Sequence, residues 1–149
     1  MKKLTKADLN HILKLHFLWL KNEGGERAVL SNTDLSHLNL EGVILRRANL
    51  TRTNFTGAKL CGADMSDADM TYASFKGANL NDAIFRDADL RNANLSDAQM
   101  VNVDLYRADL YRADFSNVNL SDGALTNPVL SGTIIALRDS RQSDCLTSQ

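Results

Sequence analysis

Residues 73–98 read ASFKGANLNDAIFRDADLRNANLSDA, and in this stretch an alanine and a large apolar residue recur with a period of five. From residue 30 to residue 135, all 22 positions numbered by multiples of five hold Leu, Met, Phe or Ile. On an α-helix, five residues advance about 140° around the axis, so these side chains would point to every side. On a straight strand, an odd period would send successive side chains to opposite faces. Only a chain that bends after every five residues can bury all of them.

Each five-residue unit has the composition of a short extended segment followed by a turn. The alanine and the large residue are two positions apart, so both point to one side of an extended segment. The residue between them points outward and is Asp or Asn in 13 of 22 units. The two residues that follow are mostly turn formers, and Gly62 and Gly77 can adopt a positive φ there. Such units wind into a solenoid, with three or four units per coil.

The unit Ala88-Asp89-Leu90-Arg91-Asn92 resembles the repeat of the pentapeptide-repeat family, and the resemblance covers residues 28–135. It implies an all-β fold, a right-handed quadrilateral parallel β-helix with four units per coil. The 22 units would then form about five coils, roughly 26 Å long at 4.8 Å between stacked strands.

The chain divides into three parts: an N-terminal capping α-helix and connector (1–27), the β-helix (28–135) and a polar C-terminal tail (136–149). Thr5 and Asp8 predict a capping box. We expect the helix to close the first coil, because a stacked coil exposes apolar edges. The five Lys residues of the segment 1–27 leave a membrane-surface or partner-binding helix as the alternative. The apolar stripe predicted to face inward is Leu9, Ile12, Leu13, Phe17 and Leu20.

At the other end the repeat loosens, because Gly123, Pro128 and Thr133 replace the inward alanine. Proline lacks a backbone donor and is tolerated only near a sheet edge. We therefore predict a homodimer formed through this end, or, as the alternative, a cover formed by residues 134–137. The candidate dimer residues are Leu120, Leu125, Leu130 and Ile135.

The sequence does not predict an enzyme, a metal site or a cofactor. His11 and His16 are five apart on a helix and are poorly placed to share a metal. Cys61 has no histidine at a matched position to act as a base. No apolar run is long enough to cross a membrane, and the free thiols and the lack of a secretory signal indicate the cytoplasm. A net charge of −1 gives no reason to expect direct nucleic-acid binding.

Two outward columns are candidate protein-binding surfaces if residues twenty apart stack. Aromatic and Arg residues are enriched at the energetic centres of interfaces. One column holds Asn49, Asp69, Asp89 and Asp109, with Arg52, Arg91, Arg112, Tyr72 and Tyr111 near it. The other holds Ile44, Asp64, Ile84 and Asp104, with Arg46, Arg86, Tyr106 and Arg107 beside it.

The function predicted from these observations is that of a non-catalytic interaction or scaffold protein that presents flat faces to a protein partner. The alternative, implied by the family resemblance, is a DNA mimic that binds DNA gyrase. Residues 28–135 hold 13 acidic and nine basic residues, a net charge of −4. A DNA duplex of the same length would carry on the order of 15 negative charges, so the charge disfavours mimicry.

Overall fold

The computed structural model describes residues 1–120. The chain begins with a short strand, β1 (Lys2–Lys3), and a helix, α1 (Lys6–Leu20). Coils of parallel β-bridges follow, in which three two-residue strands are long enough to be assigned. They are β2 (Thr33–Asp34), β3 (Gln99–Met100) and β4 (Asn119–Leu120).

The coils have four sides, because every bridge within them joins a residue to the residue twenty positions later. Asn49 bridges Val29 on one side and Asp69 on the other, and the column continues through Asp89 to Asp109. The backbone hydrogen bonds follow the same register, with Leu50 N–H donating to the carbonyl of Asp69 at 2.7 Å. The alternative of three units per coil is thereby excluded. Each side is extended for only two or three residues, which explains why most of the ladder consists of isolated bridges.

The interior of the coils is filled by the alanine and large-residue positions that the period of five identified. From residue 30 to residue 115, every side chain at a multiple of five is buried. Leu50, Met70 and Leu90 have no exposed surface. The Phe55 and Phe75 rings stack at 5.0 Å between centroids. Burial of an unbroken apolar column is the main source of stability in such a fold.

Consecutive sides are joined by tight turns that use a positive φ at the second residue after each large side chain. Arg47, for example, has φ of 61°, and the N–H of Ala48 donates to the carbonyl of Leu45 at 3.1 Å. A positive φ at the third residue of a four-residue turn is the mark of type II. Glycine fills this position at only a few corners, such as Gly62 and Gly77. Elsewhere Asp, Asn, Arg and even Tyr72 adopt it, although it costs a non-glycine residue about 1–2 kcal/mol.

The recurring Asp and Asn residues stabilise these turns. The Asp69 carboxylate accepts a hydrogen bond from the N–H of Thr71 at 3.0 Å, and Asn94 does the same for Ser96 at 2.9 Å. This is an Asx turn, in which the side chain satisfies a backbone donor at the corner. The same contact occurs at twelve units among residues 34–116. The outward acidic residues therefore have a structural role.

The N-terminal segment packs against the first coil. Thr5 and Asp8 form the predicted capping box, with Asp8 N–H donating to the Thr5 hydroxyl at 3.1 Å. Leu9 belongs to the buried core, and Leu4, Ile12 and Leu13 pack against it. Ahead of the helix, β1 pairs in parallel with β2 and so gives the first coil a backbone partner. The sequence did not indicate this strand.

One residue of the predicted helical stripe was assigned wrongly. Phe17 is exposed and lies beneath the ammonium group of Lys21, 5.4 Å from the ring centroid. Its neighbour His16 is fully buried instead, because its Nδ1 accepts a hydrogen bond from the N–H of Ala28 at 3.0 Å. The His16 ring also stacks on Trp19. A polar side chain thus fixes the junction between helix and coils.

At the other end of the described chain, Leu120 is half-buried and packs against the core. The other three candidate dimer residues, Leu125, Leu130 and Ile135, and the tail 136–149 lie outside the described residues.

Candidate protein-binding surface

The twenty-residue register gathers the arginine and tyrosine residues of the coils onto one side of the solenoid. Corner 1 consists of residues 46–47, 66–67, 86–87 and 106–107, and corner 2 consists of residues 51–52, 71–72, 91–92 and 111–112. Between residues 28 and 120, every Arg and every Tyr lies at one of these corners. The two corners border the same side, and together with it they form the Arg–Tyr face, defined as residues 46–52, 66–72, 86–92 and 106–112. The seven Arg are 46, 47, 52, 86, 91, 107 and 112, and the three Tyr are 72, 106 and 111.

The centre of the Arg–Tyr face is the acidic column, defined as Asp69, Asp89 and Asp109, which consecutive bridges stack directly. Each carboxylate is half-buried and accepts a hydrogen bond from the backbone N–H two residues later, at 3.0 to 3.2 Å. These turn contacts offset part of the repulsion between like charges in neighbouring coils.

Arg91 neutralises two members of the acidic column. Its Nη2 lies 2.6 Å from Asp89 Oδ2 and its Nε lies 2.8 Å from Asp89 Oδ1, a two-pronged contact. Asp109 Oδ2 is 3.8 Å from the same Nε. Partial burial raises the pKa of Asp89, but the hydrogen bonds from Arg91 outweigh it and hold the pKa below the ordinary aspartate value. Arg91 therefore holds the centre of the face together.

The other two arginines of corner 2 do not pair with the acidic column. The Arg52 guanidinium lies over the Tyr72 ring, 4.9 Å from the centroid, and Arg112 lies over Tyr111 at 5.3 Å. Neither guanidinium has a carboxylate within ion-pair distance among residues 1–120. Both tyrosines are exposed. Of the three arginines near the acidic column, Arg91 alone pairs with it within residues 1–120.

At corner 1 three of the four arginines pair with carboxylates, and the fourth, Arg47, lies over the Trp19 ring of α1, 5.5 Å from the centroid. Arg46 lies 3.7 Å from Asp64, and Arg107 lies 3.0 Å from Asp87. Arg86 donates to Asp104, which raises the pKa of the guanidinium, and also covers the Tyr106 ring at 5.3 Å. The neighbouring column alternates carboxylate and isoleucine. Its two isoleucines differ in burial, since Ile44 is exposed and Ile84 is half-buried.

The distribution of charge around the solenoid is uneven. The Arg–Tyr face holds seven Arg against five Asp, a net charge of +2. The remaining residues between 28 and 120 hold two Lys against six Asp and one Glu, a net charge of −5. The small net charge of the whole chain therefore conceals a mixed-charge face with a positive excess on an otherwise acidic rod.

Other groups in the described chain form no cluster suited to chemistry. Residues 1–120 contain no group of three His, Cys, Asp or Glu side chains that could hold a metal ion. Cys61 is a half-buried free thiol. A groove of about 450 Å³ lies between α1 and the first coil, outside the packed interior, and Leu9, Leu13 and Leu38 contribute to its mostly apolar wall. No helix among the described residues is both long and apolar enough to span a membrane.

Comparison with known proteins identified the repeat. The family model of pentapeptide repeats matches eight copies, over residues 26–47, 48–87 and 83–122. None of the curated proteins compared with the chain matched its sequence.

Several solved structures are similar to this chain. HetL from the cyanobacterium Nostoc sp. strain PCC 7120, described as involved in heterocyst differentiation regulation, is 29% identical with a TM-score of 0.51 over 73% of this chain. Rfr23 from the cyanobacterium Cyanothece 51142 is 23% identical with a TM-score of 0.49 over 71% of this chain. QnrB1, a plasmid-mediated fluoroquinolone resistance protein, is 17% identical with a TM-score of 0.45, over 82% of this chain and 95% of QnrB1. The chain spans 54% of HetL and 60% of Rfr23.

Proposed function

Because this chain belongs to the pentapeptide-repeat family, whose members fold as right-handed quadrilateral β-helices, we propose that it is a non-catalytic interaction protein that presents its Arg–Tyr face to a protein partner. The observation that carries this proposal is the collection of every Arg and Tyr of residues 28–120 at the two corners that border one side. A repeat that needed only to fold would place these residues at any corner, since all four have the same backbone geometry.

The chemistry of this face suits a protein partner. Arg and Tyr are enriched among the residues that dominate binding energy at interfaces. The turns hold their backbone in place, and Arg52 and Arg112 are oriented over aromatic rings, so little conformational entropy remains to be lost on binding. The mixture of carboxylates and guanidinium groups favours a partner surface with charges of both signs.

Two further parts of this proposal concern the ends of the solenoid. We propose that α1 caps the first coil of about five, supported by the contacts of Leu9 and Leu13 with the core. We also propose a homodimer formed through the C-terminal end, where Leu120 is only half-buried. A cytoplasmic location stays a prediction of the sequence.

The DNA-mimic alternative receives less support from the charge distribution. The acidic column is stabilised by turn contacts and by Arg91, and the Arg–Tyr face has a net charge of +2. A mimic of the duplex needs a dense row of free negative charges. Binding to gyrase therefore stays a prediction that the drug assay in the Discussion tests.

A matched pair of surface variants tests the proposed function. The face variant replaces Tyr72 and Tyr111 by Ser, and the control variant replaces Leu38 and Val101, which are also exposed but lie away from the face, by Ser. Proteins that the wild type retains from a lysate of the native host should be lost with the face variant and kept with the control. Equal retention by the wild type and the face variant would contradict the proposal.

A further inference from the structure

We propose that corner 2 docks an extended acidic segment of a partner protein, with carboxylates at two positions four residues apart. This inference rests on the proposed function and names the chemistry of the partner. It starts from the difference between the two corners that border the Arg–Tyr face.

Corner 2 is the edge that has two arginines without a carboxylate partner among residues 1–120. At corner 1, Arg46, Arg86 and Arg107 each pair with a carboxylate, which an incoming acidic group would have to displace. The fourth, Arg47, also has no carboxylate partner among residues 1–120, but it is held against Trp19 of α1 and has no second such arginine in its column. At corner 2, Arg52 and Arg112 have no such partner among residues 1–120 and are held over exposed tyrosine rings. A guanidinium that stacks on a ring keeps its N–H donors free for a carboxylate.

The spacing of Arg52 and Arg112 matches the spacing of two side chains in an extended peptide. Residues 52, 72, 92 and 112 form one column of the corner, since each lies twenty positions after the last. Three steps of about 4.8 Å separate the backbones of Arg52 and Arg112, or roughly 14 Å. An extended peptide rises about 3.4 Å per residue, so its side chains at i and i+4 are also about 14 Å apart and point to the same side. The side chain at i+2 then faces Tyr72 and Asn92.

The residues that border corner 2 favour a peptide over a nucleic acid. The acidic column lies on one side of the corner, and Asp114 lies on the other, two residues after Arg112. A phosphate backbone places a negative charge at every nucleotide and would bring several of them against these carboxylates. A peptide can place neutral or basic residues there and acidic residues only opposite the two arginines.

The test uses a labelled synthetic peptide with two Glu four residues apart, Leu midway between them, and Ser and Gly elsewhere. Fluorescence anisotropy measures its binding to the full chain. The corner variant is Arg52→Gln with Arg112→Gln. The control variant is Lys59→Gln with Lys76→Gln, which removes the same charge from other sides of the solenoid. Circular dichroism before each titration checks that both variants are folded.

We expect the corner variant to bind the peptide about tenfold more weakly than the wild type, and the control to bind within about twofold, because two exposed ion pairs are lost in one and none in the other. A second peptide has Gln in place of both Glu. Its affinity for the wild type should be as low as the affinity of the Glu peptide for the corner variant. The inference would be overturned by any of three results. The corner and control variants weaken peptide binding equally, the Glu peptide does not bind the wild type, or a short DNA duplex binds the wild type more tightly than the peptide and loses this binding in the corner variant.

The lysate experiment with the Tyr72 and Tyr111 variant distinguishes failure of the acidic-segment inference from failure of the proposed function. Peptide binding can be unchanged in the corner variant while retention of lysate proteins still depends on Tyr72 and Tyr111. In that case the acidic segment is the wrong partner, but the Arg–Tyr face is still a protein-binding surface. If retention is also insensitive to the tyrosines, both are wrong.

Discussion

Replacement of His16 by Asn should remove a pH-dependent part of the stability while keeping the hydrogen bond that joins α1 to the first coil. His16 is fully buried, and its Nδ1 accepts from the N–H of Ala28 at 3.0 Å, so the ring is neutral and carries its proton on Nε2. The Asn Oδ1 can occupy the place of Nδ1, but the amide does not titrate.

The size of the pH-dependent change in the free energy of unfolding follows from proton linkage. Burial lowers the pKa of His16 below its ordinary value of 6.5, the carbonyl of Arg46 opposes this shift, and the charge of Arg27 adds to it. Below pH 6.5 the unfolded chain therefore binds more protons than the folded protein. The free energy of unfolding must fall as the pH decreases from this value towards the folded pKa, by at most about 1.4 kcal/mol per pH unit.

The assay is urea unfolding at pH 7.5 and pH 5.5, followed by circular dichroism and by the fluorescence of Trp19, the only tryptophan, whose ring stacks on His16. His11 and His37 are exposed and present in both proteins, so their effect cancels. The wild type should lose up to about 1.4 kcal/mol more than His16→Asn between these pH values. A third protein, His16→Leu, should be about 1–3 kcal/mol less stable at pH 7.5, because it leaves the Ala28 N–H unsatisfied. Identical pH dependence in the wild type and His16→Asn would refute the reasoning.

Three further predictions concern the core, the dimer and gyrase. Phe75→Ala should lower the free energy of unfolding by about 3–5 kcal/mol, because the ring is fully buried between two other aromatic rings; urea unfolding measures this, and the exposed Lys76→Ala should change it little. Leu125→Lys with Leu130→Lys should give monomers in sedimentation if the C-terminal end pairs, whereas Val101→Lys should leave the mass unchanged; a dimer that survives the double change argues against this end. Purified protein added to a gyrase supercoiling reaction with a quinolone should leave the inhibition unchanged, because the acidic column is already neutralised in part; relief of inhibition would restore the DNA-mimic alternative.

The local features of this fold could be read from the sequence. The period of five requires a bend after each unit, and the alternation within a unit decides which two side chains point inward. Leu50, Met70 and Leu90 are buried as that pattern predicts. The capping box of Thr5 and Asp8 was also recognisable, because both partners lie within one helical turn.

Other features depend on contacts between distant residues. The apolar stripe predicted that Phe17 faces the interior. His16 is buried in its place, because its Nδ1 accepts a hydrogen bond from the N–H of Ala28, twelve residues later in the chain. The pairing of β1 with β2 joins residues about thirty apart, and a two-residue segment carries no pattern of its own. Neither contact leaves a signal in local periodicity.

The sequence by itself determined that the chain is a tube of five-residue units with an apolar filling, because the facing of a side chain depends only on its position within its own unit. The tertiary structure decided how many units close a coil, because closure depends on hydrogen bonds between residues twenty apart. That number then decides which arginines meet which carboxylates. Among residues 1–120 it leaves Arg52 and Arg112 without a carboxylate partner, while Arg91 reaches two carboxylates.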